Sequence, residues 1–246
     1  MREQLEKWVQ SRGCYFYLAV GTLAAFGLAR WSRTEVFLPI FMTLVIYPVY
    51  AMDLTQRRRD LAIFHTFFWA LTASVLMFVF VRKDELLMSK IVFRGVAYRD
   101  EMFRWILTGE GREGNWRLFL PEHLKHFFLF CTTSLLTAGV WGLAFGAVLL
   151  NYMNFYVASL VLKAHRPLLV YLLGWPPWSL LRVIGFVVCG VALSEPFLSQ
   201  LFRFRLEFRR SFRLFGFGLF FILADILLKA YLANFWRNLL RHTVSL

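Results

Sequence analysis

Cysteine is scarce in this chain: Cys14, Cys131 and Cys189 are the only three among 246 residues, and no two of them form a CxxC pair. That excludes a disulfide framework and the common zinc and redox motifs, and it leaves all three as small apolar packers beside hydrophobic runs. The catalytic and phosphate-binding signatures HExxH, GxSxG, P-loop and GxGxxG are absent too. Acidic residues are few, 15 against 28 Lys+Arg. None cluster within an apolar run, where they could hold a magnesium-bound diphosphate. No catalytic residue, metal site or cofactor is therefore expected, and an enzyme is the less favoured reading.

Apolar side chains are abundant. Hydrophobic residues make up 59% of the chain and aromatic ones 19%, with a mean hydropathy of +0.57, where a soluble domain averages about 45–50% apolar. The excess falls in long uncharged runs separated by short arginine-rich ones. A bilayer sorts residues this way, because a charge at the centre of a spanning helix costs roughly 2.5–3.5 kcal/mol. The net charge of +13 would suggest nucleic acid in a soluble protein. Here the basic residues flank apolar runs, so the expected anions are lipid phosphates and no nucleic acid is expected.

Six segments are long and apolar enough to cross a membrane: roughly 15–31, 36–52, 61–81, 127–150, 178–193 and 214–232. A crossing takes about 17–25 residues, so the second and fifth are short and the range is five to seven. The fold expected is an all-α, polytopic membrane helix bundle with basic amphipathic helices at its interface. It forms one domain over 1–246, in the inner or plasma membrane. The first run (14–29) resembles the apolar core of a signal peptide, but Glu3 and Glu6 interrupt its basic leader, which favours an uncleaved helix. Alternating six spans puts both termini on one side with ten basic residues and leaves sixteen on the longer opposite side. The densities are then nearly equal and set no orientation.

Residues 82–126 are the polar insertion, with an amphipathic helix expected to end at GEGREGN (109–115). From Pro121 to His165 no proline interrupts. As one helix those 45 residues would reach about 67 Å, so a bend is expected at Gly142/Gly146 or at Asn151–Asn154. On that helix Ser134, Ala138, Gly142 and Gly146 recur every four residues, a small-residue face that lets another backbone approach. Gly21, Ala25 and Ala29 repeat the pattern on the first span. Wound as a helix, Phe197, Leu201, Phe204, Phe208, Phe212 and Phe215 share an arc of about 80°. Arg203, Arg205, Arg209, Arg210 and Arg213 oppose them, as on a helix lying among lipid headgroups.

Polar residues within the runs are functional candidates by default, because burying them is costly: Asn151, Asn154, Arg182, Asp225 and Lys229. Asp225 and Lys229 stand four apart and are expected to neutralise each other. Among the histidines only His65 and His165 approach the arrangement a b-type haem needs, and His165 lies outside its span. Glu122, His123 and His126 lack a fourth metal ligand. Three functions stay open. The leading one is a non-catalytic subunit, a scaffold or anchor partnered by anionic lipid and by other membrane subunits or a second copy. The others are a transporter or permease component moving a solute or lipid, and a membrane enzyme or haem/quinone electron-transfer subunit.

Overall fold

The computed structural model describes residues 11–244; Arg2, Glu3, Glu6 and Lys7 of the leader lie outside them. The described chain is all α-helical apart from turns and a single bridge between Ala164 and Val244. The long helices are α1 (Arg12–Ser32), α2 (Phe37–Thr55), α3 (Arg59–Lys83), α6 (Trp116–Leu136), α7 (Val140–Leu162), α9 (Pro177–Phe202) and α10 (Phe208–Arg241). Three shorter ones, α4 (Glu85–Ile91), α5 (Gly95–Thr108) and α8 (Pro167–Leu173), fill the connections. All of the long helices except α6 are long and apolar enough to cross a membrane. The protein is an all-α polytopic helix bundle.

The expected 45-residue helix is two helices. Ala138 (φ 54°) and Gly139 (φ 87°) take left-handed backbone, and the Gly139 N–H closes on the Ser134 carbonyl at 2.9 Å, a Schellman-type ending. The Thr137 hydroxyl donates back to Thr133 and accepts from the Trp141 N–H, serving both helices at once. The break therefore falls at 137–139 and not at Gly142/Gly146 or Asn151–Asn154. A glycine at the left-handed position carries no Cβ to strain; hydrophobicity alone does not reveal such a stop. After it, α7 folds back along α6, with the His126 and Phe145 rings 5.7 Å apart. α6 begins before its proline, at Trp116, where Asn115 Oδ1 accepts from the Arg117 N–H.

This hairpin changes the chain path. α6 runs beside α9 in the same direction: Phe127 and Phe130 both meet Phe186, and Gly190 faces Phe130. α10 returns antiparallel to α9, pairing Arg182 with Asp225 near one end of the bundle and Glu195 with Ser211 near the other. Hence α6 is a seventh traverse, with only its second half strongly apolar. Tyr15 at the start of α1 packs on His65 at the start of α3, whereas Arg237 near the end of α10 bonds to Trp105 at the end of α5, at the opposite end. The start of α1 and the end of α10 thus lie at opposite ends of the bundle, correcting the even alternation.

The segment 197–215 differs from a single interfacial helix. Arg203 (φ 55°) caps α9, the five residues 203–207 turn the chain, and Phe208 opens α10. Its five arginines are exposed at the same end as Arg57, which lies 3.8 Å from Glu207. The polar insertion holds α4, α5 and the start of α6, and α5 ends at Gly109 (φ 81°), as GEGREGN implied.

The path has a direct test. In a background lacking the three native cysteines, Asp60→Cys, Glu110→Cys and His242→Cys are exposed to a membrane-impermeant thiol reagent. Glu110→Cys and His242→Cys should label from one side and Asp60→Cys from the other. Labelling of His242→Cys together with Asp60→Cys would restore the six-span path.

Candidate functional site

The bundle encloses a cluster of four charges at the α5 end. α9 places Trp178 and Arg182 one turn apart on one face, and α10 places Asp225 and Lys229 likewise on the face it turns toward α9. Arg182 Nε and Nη2 each donate to a different oxygen of Asp225 at 2.9 Å, the two-pronged fit of a guanidinium to a carboxylate. Lys229 does not pair with Asp225 as the spacing suggested. Its Nζ donates to Glu113 Oε2 at 2.7 Å and lies over the Phe119 ring at 4.5 Å. Trp178 Nε1 donates to the other Glu113 oxygen at 3.3 Å. Asp225 is 0% and Lys229 2% exposed, and such burial is tolerable only for paired charges.

Glu113 comes from the loop after α5, and sequence reasoning missed it because it sits in an ordinary polar stretch, far from any apolar run. That loop is fixed by α10, which outruns the membrane: its 34 residues give about 51 Å at 1.5 Å per residue, against a hydrocarbon core of about 30 Å. The projecting end carries Arg237, which donates to the last carbonyls of α5 at Trp105, Ile106 and Leu107. A cation at a helix C-terminus meets both the free carbonyls and the negative end of the dipole. Burial by itself would raise the Glu113 pKa. The Lys229 ammonium, the Arg182 guanidinium and the two hydrogen bonds outweigh it, holding the carboxyl below its ordinary value.

His123 of α6 stands beside this cluster. Its Nδ1 lies 3.1 Å from the Phe119 carbonyl oxygen and its Nε2 3.7 Å from Asp225 Oδ2.

A cavity of about 120 Å³ opens from these residues and runs between α3, α6, α7, α9 and α10. Tyr98, His123, His126, Tyr152, Arg182 and Asp225 line one end. Phe127, Phe130, Leu143, Leu149, Phe186 and Ile222 line its length, and Tyr50, Gly139 and Gly190 the far end. The α6 lining runs from His123 to Ser134, about 16 Å of helix, so the cavity is a narrow slot with a polar head. Trp69 Nε1 and Ser134 Oγ border it, buried and without a hydrogen-bond partner among the described residues.

The other sequence candidates divide. Gly142 and Gly146 border the slot, but differently. A Cβ on Gly142 would collide with the Ser134 side chain, whereas one on Gly146 would meet open space. The small-residue ladder is therefore a hairpin contact, with Ser134 and Gly142 facing each other across the turn at Ala138. Asn151 and Asn154 are buried but do not line the slot; Asn151 Nδ2 reaches Met42 Sδ at 3.2 Å. At the other end Arg59 donates to Glu195 at 2.6 Å and to Ser211 at 3.1 Å, joining α3, α9 and α10. No group of three His, Cys, Asp or Glu residues placed to hold a metal occurs among the described residues.

Removing one partner of a buried pair leaves the other charge uncompensated, at a cost of about 3–5 kcal/mol. Glu113→Gln and Lys229→Met should each lower the melting temperature in detergent near neutral pH, and the double change should recover part of the loss. Because the folded carboxyl titrates below its ordinary value, its contribution is present above that value and lost as the pH falls through the folded one. The gap between Glu113→Gln and the parent should therefore close on acidification. A gap that stays constant across that pH range, or strictly additive losses, would show that the two groups are not coupled.

No known protein family, curated protein or solved structure matches this chain, so its function is read from the slot and the charges at its head.

Proposed function

We propose that the chain is the binding unit of a membrane permease or lipid carrier, and that its slot takes the head and first carbons of a long-chain amphipathic molecule, head toward Arg182 and chain along the phenylalanines. The slot carries this reading. Ligand sites are concave and mostly apolar, with a few convergent polar groups, and this one sets a charged, hydrogen-bonding head against an apolar shaft. Roughly 10–15 Å³ of such space holds one water-sized group, so the slot of about 120 Å³ admits about ten non-hydrogen atoms, the head and first carbons of a single chain. A scaffold drew its support from small-residue faces, and these are occupied within the chain: Ser134 by Gly142, and Gly21 by Val45. The five exposed arginines at the far end suit anionic headgroups, which fits an inner or plasma membrane.

Gly146 supplies the test. Gly146→Leu projects into the slot without meeting backbone, so the variant should fold with the parent's melting temperature and lose the long-chain molecule that native mass spectrometry finds on the parent. Gly142→Leu should instead destabilise by about 1–3 kcal/mol through overpacking. A parent that carries no such molecule, or a Gly146→Leu variant that carries as much as the parent, sinks the proposal.

A further inference from the structure

At the far end of the bundle, away from the head of the slot, two loops from distant parts of the chain enclose an open hollow. Arg57 of the α2–α3 loop lines it together with Arg205, Leu206, Glu207, Phe208, Arg209 and Arg210 of the α9–α10 turn. The loops are fixed against each other at their roots. Arg59, two residues past Arg57, donates to Glu195 of α9 and to Ser211 of α10, and Glu195 is only 1% exposed. A buried ion pair beneath it makes the hollow a tertiary site and not merely a basic stretch of sequence.

The charges of the hollow do not balance. Glu207 holds two of its four guanidiniums: Arg57 Nη1 lies 3.8 Å from one carboxylate oxygen and Arg210 Nη1 2.9 Å from the other. Arg205 and Arg209 are exposed and meet no carboxylate among the described residues. α10 adds the positive end of a 34-residue helix, to which Glu207 gives no side-chain cap. Such a helix start favours a nearby anion. A guanidinium grips phosphate through two parallel hydrogen bonds, so two unmatched guanidiniums suit a phosphate bearing two charges. A phosphomonoester carries about −1.5 to −2 at neutral pH, whereas a phosphodiester carries a single charge and would leave one guanidinium unmatched.

The surroundings indicate where that phosphate comes from. Phe208 and Phe212, stacked 6.3 Å apart, are exposed beside the hollow, and Leu201 and Phe202 are exposed just before it. Both α9 and α10 are long and apolar enough to cross a membrane, so the turn between them lies at headgroup level. There, exposed rings belong among acyl chains and arginines at phosphates. We infer that the hollow is a site for a phosphomonoester lipid, of the phosphatidate class, its phosphate held by Arg205 and Arg209 and its chains against Phe208 and Phe212. The site is separate from the slot and does not depend on what the slot holds.

The full chain in mild detergent is titrated under native mass spectrometry with dioleoyl phosphatidate, dioleoyl phosphatidylglycerol, tetraoleoyl cardiolipin and glycerol 3-phosphate. One phosphatidate should bind about tenfold tighter than phosphatidylglycerol, the worth of one good hydrogen bond to a charged group. It should also bind tighter than cardiolipin, whose two charges sit on separate phosphates, and than glycerol 3-phosphate, which has no chains. Arg205→Gln and Arg209→Gln should each abolish the preference over phosphatidylglycerol. Arg213→Gln removes the same charge from the same basic segment but outside the hollow, and should keep it. Melting temperatures matching the parent confirm that the variants fold. A parent without the preference, an equal loss in all three variants, or cardiolipin or glycerol 3-phosphate binding as tightly as phosphatidate overturns the assignment. Gly146→Leu, which fills the slot, should retain the phosphatidate; its loss there would place the lipid in the slot and overturn the hollow as its site.

Discussion

The structure depends on two ion pairs that lie where ions are least welcome. Arg182, Asp225 and Lys229 belong to helices that cross the membrane, and each would be prohibitive alone. Arg182 and Asp225 lock α9 to α10 through two parallel hydrogen bonds. Lys229 then needs an anion that neither helix has left to offer, and it takes Glu113 from the loop after α5. The pairing thus fixes the register of two spans and recruits a segment more than a hundred residues upstream.

Holding that loop explains features that otherwise look unrelated. α10 continues past the hydrocarbon, and its projecting turns carry Trp236, which donates to the Leu173 carbonyl at the end of α8, and Arg237, which closes the end of α5. Each satisfies carbonyls that a helix terminus leaves without an internal partner. Trp178 adds a hydrogen bond to Glu113 and packs against Trp236. The end of the bundle is therefore closed by polar contacts, and the slot begins immediately beneath this cap.

The slot itself follows from the hairpin. α6 and α7 diverge from the turn at 137–139, pressed together where Gly142 meets Ser134 and separating where Gly146 meets nothing. The same two glycines, four residues apart, thus have opposite roles: one permits contact and the other leaves space. α9 fills only part of the gap with Phe186, and the remaining space runs to His123 and Arg182 at the head.

The sequence by itself determined the class of fold. Hydrocarbon demands internally satisfied backbone in long apolar stretches, and such stretches are visible one residue at a time; five of the six apolar runs fall on one long helix each, whereas the fourth, 127–150, straddles the break between α6 and α7, and the glycines of 109–115 end α5. It also singled out five polar residues within the runs; of these the charged Arg182, Asp225 and Lys229 meet in one cluster, whereas Asn151 and Asn154 are buried away from the slot. Only the tertiary structure decided who pairs with whom. Helical spacing offered Asp225 to Lys229, but the better-matched guanidinium of Arg182 took it, from a span whose neighbour the sequence does not name. Glu113, the place of His123 beside the charges and the seventh traverse were equally hidden: a loop carboxylate and a half-polar helix look like surface until other helices bury them. Local composition records the cost of leaving water, whereas partners and cavities arise from contacts between segments far apart in the chain.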